Sequence, residues 1–201
     1  MLYDHIMKSR PILNALLIAI VINLAYGQQD PQPSTLFEEG GADWIRGGEA
    51  KWKFIDKELI GTASGGSGFV MTKERYKDFE LSLEFFPDST VNSGVFVRCA
   101  KVDISNIECY EMNIWDLHPD QKSRTGSIVS RAVPQAHVET LGKWNTYKIT
   151  CKGNRITTWV NGMLTVDIED KDLREGYIGL QAAETGRIKF RNVRLQLIGE
   201  N

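Results

Sequence analysis

The chain has 201 residues, 42% of them hydrophobic and 25% charged, an ordinary globular mixture that excludes a disordered or fibrous protein. Its 24 Lys and Arg against 26 Asp and Glu leave a net charge of −2, which argues against a nucleic-acid partner, since phosphate binding shows as a basic surplus. The length suits one domain with short additions. Eighteen Gly beside 5 Trp, 6 Tyr and 8 Phe suit strands and turns with aromatic surfaces.

Residues 1–27 read as a leader. Lys8 and Arg10 precede the apolar run Ile12–Leu24, and Ala25-Tyr26-Gly27 forms a small-x-small cleavage site. The run is shorter than the roughly 20 helical residues a bilayer demands, so no transmembrane segment is expected. The mature chain is expected to start at Gln28 and to work in the periplasm or outside the cell. Residues 28–42, with Pro31, Pro33 and Glu38-Glu39-Gly40-Gly41, read as a flexible tether to a domain over 43–198.

From there apolar residues alternate with period two. Phe79, Leu81, Leu83 and Phe85 are interleaved with Glu80, Ser82 and Glu84; Val95, Val97 and Cys99 with Phe96, Arg98 and Ala100. Tyr147, Ile149 and Cys151 follow, and the turns Lys152-Gly153-Asn154 and Asn161-Gly162 bound Arg155–Val160. Residues 147–167 therefore read as a three-strand meander with a tight Asn-Gly hairpin. The fold class is all-β, and the pattern alone is compatible with either a sandwich or a barrel.

Phosphate loops, His-Glu-x-x-His, Cys-x-x-Cys and nucleophile elbows are absent. The mature chain keeps two histidines, His118 and His137, too few for a three-His metal site. Asp116, His118 and Asp120 offer ligands of the right chemistry for a divalent ion, although loop clusters of this kind are more often solvated. No cofactor is otherwise indicated.

Strand parity puts Glu111, Asn113 and Trp115 on one face, with Tyr110, Met112 and Ile114 on the other, better suited to a core. A carboxylate, an amide and an indole side by side suit a sugar, whose hydroxyls take polar partners and whose ring stacks on an aromatic. A four-residue turn at Asp103–Asn106 sets Arg98 opposite Glu111, as an electrostatic partner at a site or as a plain cross-strand ion pair. That register sends Cys99 and Cys109 to opposite faces of the sheet, so three free thiols are expected, with Cys99 and Cys151 buried. Trp144 and Trp159 read as core or edge residues.

One ordered set of segments adds to this: Trp52-Lys53-Phe54-Ile55, Asn92-Ser93-Gly94-Val95-Phe96-Val97-Arg98, Tyr110-Glu111-Met112-Asn113-Ile114-Trp115-Asp116, Thr125-Gly126-Ser127-Ile128, Trp144-Asn145-Thr146-Tyr147, Trp159-Val160-Asn161-Gly162 and Ile178-Gly179-Leu180-Gln181. Their order and spacing resemble the 3-keto-disaccharide hydrolase family from Asp43 to Ile198. The resemblance implies a concanavalin A-like jelly-roll β-sandwich of two antiparallel sheets that acts on 3-keto-glycosides. Two departures are visible: Thr158 stands where members often carry His, and Asn113 where they often carry Gln. On this reading Glu111 is the catalytic base and Arg98 its electrostatic stabiliser. Asn92, Asn113, Trp115, Asp116 and Gln181 would bind a carbohydrate substrate. The rival reading is a non-catalytic carbohydrate-binding module, which the same fold supports.

Overall fold

The computed structural model of the chain describes residues 32–41 and 44–199, so the leader expected over 1–27 and its cleavage site lie outside the described residues. The strands are β1 (Ser34–Thr35), β2 (Trp44–Gly48), β3 (Lys51–Ile55), β4 (Glu58–Ser64), β5 (Gly68–Thr72), β6 (Phe79–Pro87), β7 (Val91–Cys99), β8 (Tyr110–Ile114), β9 (Asn145–Lys152), β10 (Arg155–Val160), β11 (Met163–Glu169) and β12 (Tyr177–Leu197). The period-two runs become strands because alternate side chains then share one face. In β6 each of Phe79, Leu81, Leu83 and Phe85 is buried and each polar residue between them is half-exposed. The meander over 147–167 forms as β9, β10 and β11, and its last turn uses the positive φ of Asn161 and Gly162.

All pairing is antiparallel, in two sheets. The back sheet runs β11-β10-β9-β6-β12-β4-β3, and the front sheet runs β2-β5-β12-β7-β8. The strand β12 belongs to both: Gly179–Glu184 pair with β7 in front, and Ile188–Leu197 pair with β6 behind. This settles the sandwich against the barrel, as an all-β jelly roll. The main core lies between the sheets, with Val70, Val95, Val97, Tyr110, Met112, Ile114, Ile178 and Leu180 from the front and Phe79, Leu81, Phe85, Tyr147, Ile149 and Phe190 from the back. Among the described residues no helix is long and apolar enough to cross a membrane.

The tether differs from expectation over residues 34–37. Ser34 and Thr35 pair with Leu195 and Arg194 on β12, Leu36 donates its N–H to Val193, and Leu36 and Phe37 are buried. Phe37 meets Trp44 edge-on at 6.3 Å. Burying a Leu or Phe side chain is worth about 1.5–3 kcal/mol, which outweighs the loop-like composition around this pair.

Candidate functional site

The front sheet has a second face, turned away from the main core. Its floor is a smaller apolar cluster of Phe69, Met71, Phe96, Cys99 and Cys109, with Ile104 and Tyr177 against it. Pairing register defines two rows across this face. One row joins Phe69, Gln181, Gly94 and Asn113; the next joins Met71, Gly179, Phe96 and Glu111. Asn92, paired with Ala183, follows the same parity one step along. Thus Glu111, Asn113, Gln181 and Asn92 share a face with Gly94 at its centre. Asn92 sits inside β7 and shapes no turn. A Cβ at Gly94 would lie 3.3 Å from Glu111 Cγ and 3.2 Å from the Phe96 ring, so only glycine leaves this floor open.

The electrostatics of the face are unusual. Burial removes water from the Glu111 carboxyl and pushes its pKa up to about 7. Asn113 Oδ1 and Gln181 Oε1 are buried without a hydrogen-bond partner, while the Asn113 amide N–H donates to Ser123 O. Ser127 and Thr125 hydroxyls are likewise buried and unpartnered. Ser127 lies beside Asn113: its carbonyl accepts the Asn113 N–H, and the next residues follow the edge of β8, with Val129 N–H donating to Glu111 O. Sequence reasoning gave Ser127 no role, although Thr125-Gly126-Ser127-Ile128 was a visible motif. The signal was a polar pair beside an apolar Ile128 that enters the main core.

Arg98 is not part of this face. Phe96, rather than Arg98, stands opposite Glu111. Arg98 has φ +52° and forms a β-bulge: the pairing of β7 with β12 slips by one residue between Phe96 and Cys99, and on the β8 side Val97 pairs with Tyr110 while Ala100 N–H reaches Glu108 O. The extra residue turns the Arg98 side chain away from Glu111 into full burial. There its donors reach Lys77 O at 2.7 and 3.1 Å, Gly153 O at 2.9 Å, Leu173 O at 3.2 Å and the Asp78 carboxylate at 3.1 Å. All five guanidinium N–H groups are thereby spent. The same bulge reverses the parity of Cys99, which joins Cys109 in a disulfide. Two thiols expected free are therefore bonded, while Cys151 is free and buried.

Asp116 also has a structural task. It is buried and accepts Thr140 N–H at 2.6 Å and Thr140 Oγ1–H at 2.8 Å, clasping the long loop between β8 and β9. His118 Nδ1 accepts Asp120 N–H at 3.0 Å, and the Asp120 carboxylate caps the short 3-10 turn Gln121–Ser123 through Lys122 N–H. Asp116, His118 and Asp120 thus do not converge, and among the described residues no group of three His, Cys, Asp or Glu side chains is arranged to hold a metal. Asp116→Ala is expected to cost about 2–3 kcal/mol, because it orphans two buried donors of Thr140. Urea unfolding measures this, and a variant that unfolds like the parent but loses divalent-cation binding would restore the metal reading.

Trp115 is half-buried just past the end of β8, edge-on to His118 at 4.6 Å. Trp159 is on β10 of the back sheet and Trp144 lies just before β9; Arg191 stacks on Trp144 at 3.9 Å and Lys148 lies 5.4 Å over Trp159. Thr158, one of the two departures from the resemblance, is buried and shares a hydrogen bond of 2.8 Å with Thr165. Its strand neighbours are Val166 on β11 and Ile149 on β9, in the back sheet and not on the Glu111 face.

Solved structures share this architecture. A Parabacteroides distasonis protein described as a "putative glycosyl hydrolase" matches with TM-score 0.62 and 24% identity, over 73% of this chain and 90% of that one. The carbohydrate-binding module CBM66 from Bacillus subtilis matches with TM-score 0.60 and 16% identity, over 78% of this chain and 97% of that one. A galectin-like protein of unknown function from Bacillus subtilis matches with TM-score 0.59 and 12% identity, over 84% and 97%. No protein of curated function matches. The model of the 3-keto-alpha-glucoside-1,2-lyase-like domain matches residues 33–196, and by that match the chain belongs to this family.

Proposed function

We propose that this protein is an exported enzyme that cleaves 3-keto-glycosides on the Glu111 face of the front sheet. The observation that carries the reading is the proton affinity of Glu111: a carboxyl held near pKa 7 by burial is matched to abstracting a proton at neutral pH. The unpartnered acceptors Asn113 Oδ1 and Gln181 Oε1 beside it suit a ligand that brings hydrogen-bond donors, as a neutral sugar does. The Cys99–Cys109 bond supports export, since such bonds persist in oxidising compartments.

In a 3-keto sugar the C2 proton is acidic because its loss leaves an enolate. Glu111 takes that proton, the electron pair forms the C1–C2 double bond, and the C1–O bond to the aglycone breaks. The proton held by Glu111 can then pass to the departing oxygen. Addition of water at C1 with return of a proton to C2 makes the net reaction a hydrolysis. The Gln181 amide is a neutral donor on the same face for the enolate oxygen, a role Arg98 cannot fill from its buried position.

The second reading is a carbohydrate-binding module without turnover, the description attached to one structural neighbour. Arg98 favours it, because its burial leaves the two rows around Gly94 without a cation opposite Glu111. Incubation with an aryl 3-keto-glucoside separates the two. The enzyme releases aryl alcohol over many turnovers, whereas saturable binding with no release contradicts the proposal. Because the base works deprotonated and its pKa is raised, kcat/KM is expected to climb roughly tenfold per pH unit below about 7 and to level off above it. A profile that falls between pH 5 and 8 contradicts Glu111 as base.

A further inference from the structure

We infer that the Arg98 bulge and the Cys99–Cys109 disulfide act as one positioning device for Glu111: the bulge brings the Cys99 sulfur onto the face that Cys109 shares with Glu111, and their bond holds the dry floor against the carboxyl. The inference rests on Glu111 being the working group of the proposed function.

The geometry behind it begins with the register. Up to Val97, residues of β7 alternate normally, with Val95 and Val97 in the main core and Phe96 on the site face. Continued alternation would send Cys99 into the core, away from Cys109. The slip falls at the same residue against both neighbours of β7, and Arg98 is fixed there by carbonyls from three other segments together with Asp78. A non-glycine residue at φ +52° costs energy, and the buried guanidinium bonds hold it in place. Cys99 consequently lies on the face of Phe96, bonded to Cys109, which precedes Glu111 by two residues on the same face. The bond also closes the 100–108 loop, whose Ile104 packs on the same floor.

That floor is what dries Glu111. Its cross-strand partner is Phe96, and side chains so paired stand about 4.5–5.5 Å apart at Cβ. The other side chains of the two rows and of the adjoining edge are Phe69, Met71, Gln181, Asn113, Ser127 and Val129, none of them ionisable. Tyr177, on the floor itself, has Arg75 over its ring at 5.5 Å. Charged groups of the flanking loops have partners of their own: Lys101 pairs with Glu108 at 2.8 Å, Asp103 accepts Ile104 N–H, and Arg131 binds Asp170 and Asp172. The raised pKa of Glu111 accordingly has burial as its cause, not a neighbouring charge. Loosening the floor admits water and lets the carboxyl titrate lower.

The test follows the Glu111 carboxyl carbon by NMR in protein labelled at glutamate, with Glu111→Gln to assign the signal. In the parent it should titrate near 7. In the Cys99→Ala/Cys109→Ala variant the midpoint should fall by about one unit or more, and kcat should fall while KM changes little. Reduction of the parent with dithiothreitol, read on the same signal, serves if the variant does not fold. A midpoint that stays in place after both sulfurs are reduced overturns the inference. A parent that shows the disulfide-dependent shift but cleaves no 3-keto-glycoside sinks the proposed enzyme and leaves the positioning device standing.

Discussion

Glu111→Gln is expected to lower 3-keto-glycoside cleavage by about 10²–10⁴ while leaving substrate affinity nearly intact. The amide keeps the shape of the side chain and its place against Phe96 and Gly94, but it cannot take a proton as a carboxylate does. Stability should rise slightly if it changes at all, because an ionisable group is no longer held in a dry site. The split between rate and binding is informative. A binding module predicts altered affinity and no rate to lose, and a variant turning over at the parent rate removes Glu111 from the mechanism.

Arg98→Met should act on stability instead. The guanidinium is fully buried with all its donors satisfied, and Asp78, which also accepts Gly153 N–H at 2.9 Å, would be left without its cation. Breaking a buried pair from one side costs about 3–5 kcal/mol, a large part of the roughly 5–15 kcal/mol that holds a domain folded. For a domain of this size that corresponds to a fall in Tm of roughly 10 °C, which calorimetry reads directly. Arg98→Lys keeps the charge but not the planar fork across three carbonyls, so it should recover only part of the loss. An Arg98→Met protein that melts with the parent but loses activity would return Arg98 to the enolate and contradict its burial here.

The strands were legible because their signal is local. Alternation in β6 and β9 and the Asn161-Gly162 turn each depend on neighbouring residues, and burial follows them closely. Parity also placed Glu111 and Asn113 together correctly, since nothing interrupts β8. The errors at Arg98 and at the two bonded cysteines have one physical origin, a bulge. Arg98 is a poor candidate for positive φ on sequence grounds, and the carbonyls that hold it come from Lys77, Gly153 and Leu173, remote in the chain. Once it is present, every parity statement beyond it on β7 inverts, which moved Arg98 off the site and joined Cys99 to Cys109. Asp116 was misread for a different reason. Its partner Thr140 lies across a long loop, and a carboxylate that clasps a loop carries no local mark of that task.

A substrate deuterated at C2 tests most directly whether Glu111 removes the C2 proton of a 3-keto sugar. Cleavage by the parent protein should be slowed by a primary isotope effect and should transfer the deuterium out of the sugar. Glu111→Gln should lose that transfer together with the rate. Aglycone released with the C2 deuterium fully retained would contradict the mechanism.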